Sequence, residues 1–210
     1  NPTCGWLRLR AQQGGKLVGT GAVGLAGQGA SVSLSADGNT AIVGGALDNG
    51  VQFAGQGAAW VYTRSGGVWT QQGSKLVGTG AVGNAQQGIS VSLSGDGNTA
   101  IVGGYQDNSS LGAAWVYTRS SGVWTQLGNK LVGTGAIGNA VQGCSASLSA
   151  DGSTAIVGGL GDNGAVGAAW VFRAATKETL SVAVRDKWNM VSVPIKVSNY
   201  AKSVVFPTAG

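Results

Sequence analysis

One stretch, GASVSLSADGNTAIVGG at residues 29–45, returns as GISVSLSGDGNTAIVGG at 88–104 and as GCSASLSADGSTAIVGG at 143–159. Each copy is followed, after a loop of variable length, by GAAWVY or GAAWVF, and Trp60, Trp115 and Trp170 stand 55 residues apart. A unit of that length, repeated, builds a pseudo-symmetric array in which each copy buries its apolar surface against its neighbours. This restricts the fold more than any single motif does.

Within a copy, Ala30, Val32 and Leu34 alternate with Ser31, Ser33 and Ser35. A period of two predicts a strand with one apolar and one polar face. Asp-Gly follows, the strongest short hairpin signal, because both turn positions need residues that tolerate positive φ. TAIVGG is apolar on both faces and reads as a central strand. AAWVYTRS and, after a tight SGG or SSG turn, VWTQ supply a third and a fourth strand. Four consecutive antiparallel strands describe one blade of a β-propeller. The predicted fold class is therefore all-β, with three four-stranded blades at about 29–78, 88–133 and 143–173. The first copy carries four extra residues between Asp48 and Gly57, which places that loop on a solvent-facing rim.

The 39 glycines, with no triplet period and only 3 prolines, fit short strands joined by tight turns rather than collagen. With 43% apolar residues the chain has the material for a core. Histidine is absent, which removes His-dependent general base chemistry and Ser-His-Asp arrangements. The net charge of +5 comes from singly placed Lys and Arg, not from a run, so nucleic acid is not expected as a partner. No apolar run reaches the length of a membrane-spanning helix, and no basic, then apolar leader opens the chain. Cys144 occupies the place of Ala30 and Ile89, an apolar position that suits a buried small residue; the alternative is a Cys4–Cys144 bridge in an oxidising compartment.

The two ends of the array differ. Residues 9–19 (LRAQQGGKLVG) align with VWTQQGSKLVG at 68–78, so the chain begins on a spare fourth strand. The third copy passes through AAWVFR and has no recognisable fourth strand. The expectation is strand complementation: Leu9, Arg10, Ala11, Gln12 and Gln13 of one molecule pair with the strand of Trp170, Val171 and Phe172 of another, giving a homo-oligomer or filament. Residues 1–178 form the repeat region. From 179 to 210 the composition changes to a strand-rich tail or the start of a further domain.

Two features stand as candidate sites. The pairs Asp48-Asn49, Asp107-Asn108 and Asp162-Asn163 open the variable loops, either as Asx-type turns or as a repeated rim that contacts a sugar, an ion or a protein. The aromatics Trp60, Trp115 and Trp170, with the outer Trp69 and Trp124, either fill the wedge between sheets or offer a carbohydrate-stacking surface.

QGASVSLSADGNTAIVGGALDN followed by GAAWVY resembles the FG-GAP repeat, the blade unit of integrin-α-type propellers and of many bacterial surface proteins. Gly29, Gly88 and Gly143 match the FG glycine. Gly45-Ala46, Gly104-Tyr105 and Gly159-Leu160 match the GAP element without its proline. The resemblance covers about residues 9–173. Calcium-binding members of that family hold the ion in the first hairpin with several Asp and Asn ligands. Here Asp37, Asp96 and Asp151 are the sole carboxylates of their turns, and calcium takes 6–8 oxygens, so a turn role is expected and no cofactor. The tail WNMVSVPIKVSNYAKSVVFPTAG is similar to a segment that follows repeats in secreted proteins of Bacteroidetes-like bacteria. The resemblances imply an extracellular or cell-surface protein. The function expected from the sequence is a non-enzymatic structural subunit that self-assembles, with an adhesin-type module that recognises a glycan or protein as the alternative.

Overall fold

The computed structural model describes residues 12–51 and 54–174. The chain divides into two units, Asn1–Ala174 and Ala175–Gly210, and the second lies outside the described residues. So do Leu9, Arg10 and Ala11, Cys4, and the expected 179–210 segment.

The described residues are built from antiparallel strands. The first sheet runs in the order β1 (Gln28–Leu34), β2 (Thr40–Gly45), β5 (Ala58–Ser65) and β6 (Val68–Gln71). Between β2 and β5, the short strands β3 (Gly50–Val51) and β4 (Ala54–Gly55) form a separate ladder from the extra residues of the first loop. The second sheet orders β7 (Ser90–Leu93), β8 (Thr99–Gly104), β9 (Ala113–Ser120) and β10 (Val123–Gln126) in the same way. The third has β11 (Gln142–Leu148), β12 (Thr154–Gly159) and β13 (Ala168–Arg173). Registers repeat: Val43 faces Trp60, Val102 faces Trp115, and Val157 faces Trp170. The helix-like turns at 107–110 and 162–165 contain left-handed residues and are not regular helix.

Each sheet lies against the next, and two of the buried clusters sit between sheets. One cluster joins Ile42, Ala59 and Val61 of the first sheet to Val91, Leu93, Val102 and Trp115 of the second. Another joins Ile101 and Ala114 to Ala155 and Val157 of the third. The alternation of the first strand is used on both faces. Val91 and Leu93 are only 8% and 6% exposed, and Ser90 on the opposite face is equally covered at 8%. Serine is the inter-sheet bond here. Ser31 Oγ donates to Gly88 O at 2.8 Å, and Ser90 Oγ donates to Gly143 O at 2.8 Å. The backbone N–H of Leu93 donates to Ser33 Oγ, and that of Leu148 to Ser92 Oγ, each at 3.1 Å.

The linker KLVGTG is bound by both sheets it connects. Leu76 exchanges two backbone hydrogen bonds with Ala59, at 2.7 and 3.0 Å, and Leu131 does the same with Ala114. Gln87, fully buried, accepts from Gly78 N and donates to Gly78 O at 3.0 Å, using its amide as a second backbone. Gln28 and Gln142 hold Gly19 and Gly133 alike. Trp60 and Trp115 have no exposed surface, and their indole N–H groups donate to Thr20 O and Thr79 O at 2.9 and 2.8 Å. Trp115 packs between the first and second sheets, and Trp60 packs with Ala41, Ala58 and Tyr62 of its own sheet and with Ala26 of the linker. The hydroxyls of Tyr62 and Tyr117 are buried without a hydrogen-bond partner among the described residues, and burial raises both groups' pKa. Phe172 fills the matching place in β13.

A methyl group on Gly78 would overlap the Trp115 indole, although Gly78 itself has no positive φ. The Gly78→Ala variant should therefore lose about 1–3 kcal/mol of stability through overpacking. Gly15→Ala, where nothing lies within 4 Å of the added carbon, should change little. Urea unfolding followed by tryptophan fluorescence compares the two.

Candidate functional site

The Asp-Asn pairs do not present their carboxylates to solvent. Asp48 and Asp107 are 1% and 0% exposed. Each accepts from a linker backbone N–H, Val23 and Val82 respectively, at 2.8 Å. Each also pairs with a lysine of the linker that leaves its own sheet, Asp48 with Lys75 and Asp107 with Lys130. The neighbouring asparagines adopt left-handed backbone, with φ of 53°, 49° and 49° at Asn49, Asn108 and Asn163. They close the same strip through backbone bonds of 3.0 Å to Val23, Val82 and Ile137. Asn tolerates that conformation better than most residues. The pair is thus a latch between loop and linker, and only the Asn side chains face water.

Asp162 keeps the first half of this arrangement, accepting from Ile137 N at 2.8 Å, but has no cation among the described residues. An acidic residue that holds both a backbone N–H and an ammonium is worth more than one with the first alone. Asp107→Asn should cost about 2 kcal/mol and Asp162→Asn clearly less. Thermal melting of the two variants checks this.

The turn aspartates have a local task. Asp37 accepts from Ser35 Oγ at 2.5 Å and Asn39 N at 2.9 Å through one oxygen, and from Asn39 Nδ2 at 3.0 Å through the other. Asp96 repeats the pattern with Ser94 and Asn98, and Asp151 with Ser149 and Ser153. These bonds, led by the serine hydroxyl, hold Asp37 and Asp151 at a pKa of about 2 and lower Asp96 as well. Both oxygens of each carboxylate are therefore engaged inside the turn. Among the described residues no group of three His, Cys, Asp or Glu comes together for a metal. A folded-state pKa below the unfolded value of about 3.9 gives stability that is complete above that value and is lost as pH falls through the folded one. Between about pH 4 and 2 the protein should lose stability, and replacing the three turn aspartates by Asn should flatten that slope in an acid titration.

Of the residues expected to add a strand to another molecule, Gln12 and Gln13 are the ones described. Gln12 and Gln13 are exposed, no strand is formed at 12–19, and Gln13 Oε1 accepts from Arg64 Nη1 of the first sheet at 2.9 Å. Gly19 N is likewise held by Gln28 Oε1 at 2.6 Å, so the described residues 12–19 contact their own molecule's first sheet. Trp170 is half-buried, donating to Thr134 O at 2.9 Å, with Val171 exposed and Phe172 half-buried beside it. Cys144 is half-buried rather than enclosed, its thiol 3.4 Å from Gly158 O.

The outer tryptophans make a different environment from Trp60 and Trp115. Trp69 and Trp124 are half-buried. The guanidinium carbons of Arg64 and Arg119 stand 5.5 and 5.3 Å from their ring centres. Trp124 Nε1 and Arg119 Nη1 both donate to Gln72 Oε1 at 3.0 Å. Trp124 lines a groove of about 310 Å³ with Gln72, Lys75 and Leu76, and Trp69 lines one of about 210 Å³ with Gln13, Lys16 and Leu17. A ring, an amide and an ammonium thus meet twice, in the same order. Residue order alone did not separate these tryptophans from the packing ones. The available signal was the position of Trp69 and Trp124 on the edge strand, two residues after a turn.

No family model matches the chain, and no curated protein matches it. Among solved structures it is similar to a periplasmic gluconolactonase of Pseudomonas aeruginosa, at 20% identity over 68% of this chain, TM-score 0.46. It is similar also to hydrazine synthase of Kuenenia stuttgartiensis (14% over 70%, TM-score 0.38) and a GH74 enzyme of Niastella koreensis (21% over 60%, TM-score 0.37). This chain spans 38%, 33% and 20% of their respective lengths. The all-β architecture rests on the strands of the described residues themselves. The gluconolactonase and the GH74 protein are both named as enzymes, against the expectation of a non-enzymatic, purely structural subunit, which is withdrawn. Lack of histidine had excluded one kind of chemistry, which is not the same as excluding catalysis. No helix among the described residues is long and apolar enough to cross a membrane.

Proposed function

We propose that residues 12–174 are three consecutive FG-GAP-like propeller blades of an exported protein, and that the chain binds an extended glycan along its outer tryptophans. The observation that carries this is the repetition of the Trp69 and Trp124 grooves, each with one ring, one glutamine and one lysine at its wall. Sugar rings present apolar C–H faces and a rim of hydroxyls. An aromatic ring flanked by an amide and an ammonium meets both requirements. Arg64 and Arg119 stack on these rings and fix their orientation before a ligand arrives. Two like subsites on successive blades favour a polymer of repeating units over a single small molecule, since linked subsites add their effects.

Affinity electrophoresis through gels containing neutral polysaccharides tests the proposal. The wild-type chain should be retarded by at least one polymer. Trp124→Ala should weaken retention by about tenfold, the equivalent of one lost aromatic contact. The double Trp69→Ala, Trp124→Ala variant should migrate freely while keeping its near-ultraviolet circular dichroism. Retention that survives the double substitution would sink the assignment.

A further inference from the structure

The junction between adjacent sheets is seen twice in this molecule, and its two halves are also found, unused, at the opposite ends of the array. The outgoing half of a junction consists of the loop aspartate, the backbone of the second alanine in AAW, and the serines of the first strand. The incoming half consists of the linker lysine and leucine, the FG-position glycine, and the valine and leucine of the first strand. In the first junction Asp48 meets Lys75, Ala59 pairs with Leu76, and Ser31 Oγ donates to Gly88 O. In the second, Asp107 meets Lys130, Ala114 pairs with Leu131, and Ser90 Oγ donates to Gly143 O.

At the third sheet the outgoing half is complete and open. Asp162 is 9% exposed and has no cation among the described residues, and Ala169, Ser145 and Ser147 are exposed. Ile156 and Val171 are 46% and 64% exposed, whereas Ile101 is fully buried. Around them lies a groove of about 190 Å³ lined by Ser145, Ser147, Ile156, Gly158 and Ala169. At the first sheet the incoming half is equally open. Lys16 is exposed and makes no ion pair among the described residues. Gly29 has nothing within 4 Å of its missing side chain, whereas Gly88 and Gly143 abut the preceding sheet's backbone. Val32 and Leu34 are 69% and 59% exposed, where Val91 and Leu93 are buried.

We propose that these two faces are the halves of a third kind of junction, made with a second copy of this chain. Lys16 of each copy then pairs with Asp162 of the other, Leu17 adds its backbone to Ala169, and Ser145 reaches Gly29. Charge complementarity selects this occupant: among the described residues one face lacks a cation and the other carries one, at the position the repeat assigns to it. Two copies of residues 12–174 offer two such junctions, and their six sheets together fall within the 4–8 blades that closed propellers use. Closure leaves no face over and limits the assembly to a pair. This goes beyond the glycan proposal and is read out independently of it.

The test is a charge exchange. Sedimentation velocity should show the wild-type chain as a dimer. K16D and D162K, each alone, should sediment as monomers, because like charges then face each other at both junctions. An equimolar mixture of K16D and D162K should return to dimer, since both junctions regain opposite charges; this recovery cannot come from variants that fail to fold. A monomeric wild type, dimers that survive either single substitution, or assemblies that grow beyond the dimer with concentration would overturn the proposal. So would a mixture that stays monomeric.

Discussion

The approach of adjacent sheets to backbone contact is what the rest of this structure depends on. A side chain at Gly44 would overlap the Gly88 carbonyl, and one at Gly103 would overlap the Gly143 carbonyl. Gly88 and Gly143 in turn lie on the carbonyls of Ala58 and Ala113. Only glycine permits that distance. Away from these points the fully buried Trp115 lies between the first and second sheets. Narrow at the glycines and wide at that indole, this junction is a wedge, and a wedge repeated along a chain turns it about an axis. The glycine content is therefore spent on contacts as much as on turns.

This constraint explains why polar residues sit in a junction at all. Where two backbones nearly touch, unpaired carbonyls cannot reach water and need a donor. Ser31 and Ser90 supply it from the first strand. Gln87 and Gln142 act for the linker, each fully buried and each bound to a linker glycine. The Asp–Lys latch then ties the linker to the sheet it leaves, while the indole N–H ties it to the sheet it enters. At residues 12–20 the ties made among the described residues are to the first sheet: Gln13 to Arg64, Gly19 to Gln28 and Thr20 to the Trp60 indole.

Much of this architecture is legible in the amino-acid order. Period-two alternation and Asp-Gly placed the strands and the hairpin at 34–40, because these signals are local and each is enforced by backbone sterics. The serine face was legible as a face but not as an interface, since alternation records that two sides differ and not what covers the polar one. The Asp48–Lys75 and Asp107–Lys130 pairs are separated by unequal stretches because of the extra residues in the first loop. Such a pairing is set by where the linker returns, which no local pattern encodes. Likewise Trp60 and Trp69 are the same residue type in adjacent strands. Only the position of β5 inside the sheet and β6 at its edge separates a buried ring from one that borders a groove.

The distribution of difference among the copies follows from the same geometry. At the Gly44 and Gly78 positions, the Trp60 position and the buried glutamine, all three copies carry the same residue: a side chain at Gly44 or Gly103 would meet backbone, one at Gly78 or Gly133 would meet an indole, and the glutamine bonds a linker glycine. Differences collect where contact is with solvent or with a side chain that can adjust: the loop after Asp48, the Cys144 position, and Phe172 in place of Tyr62 and Tyr117. The last case is instructive. The tyrosine hydroxyls are buried without partners, so the position requires the ring and gains nothing from the oxygen, which is a cost wherever it is enclosed. Phenylalanine in β13 meets the packing requirement without it. What varies between copies is thus what the junction does not read, and a recognition surface that differs from blade to blade has to be assembled from those outer positions.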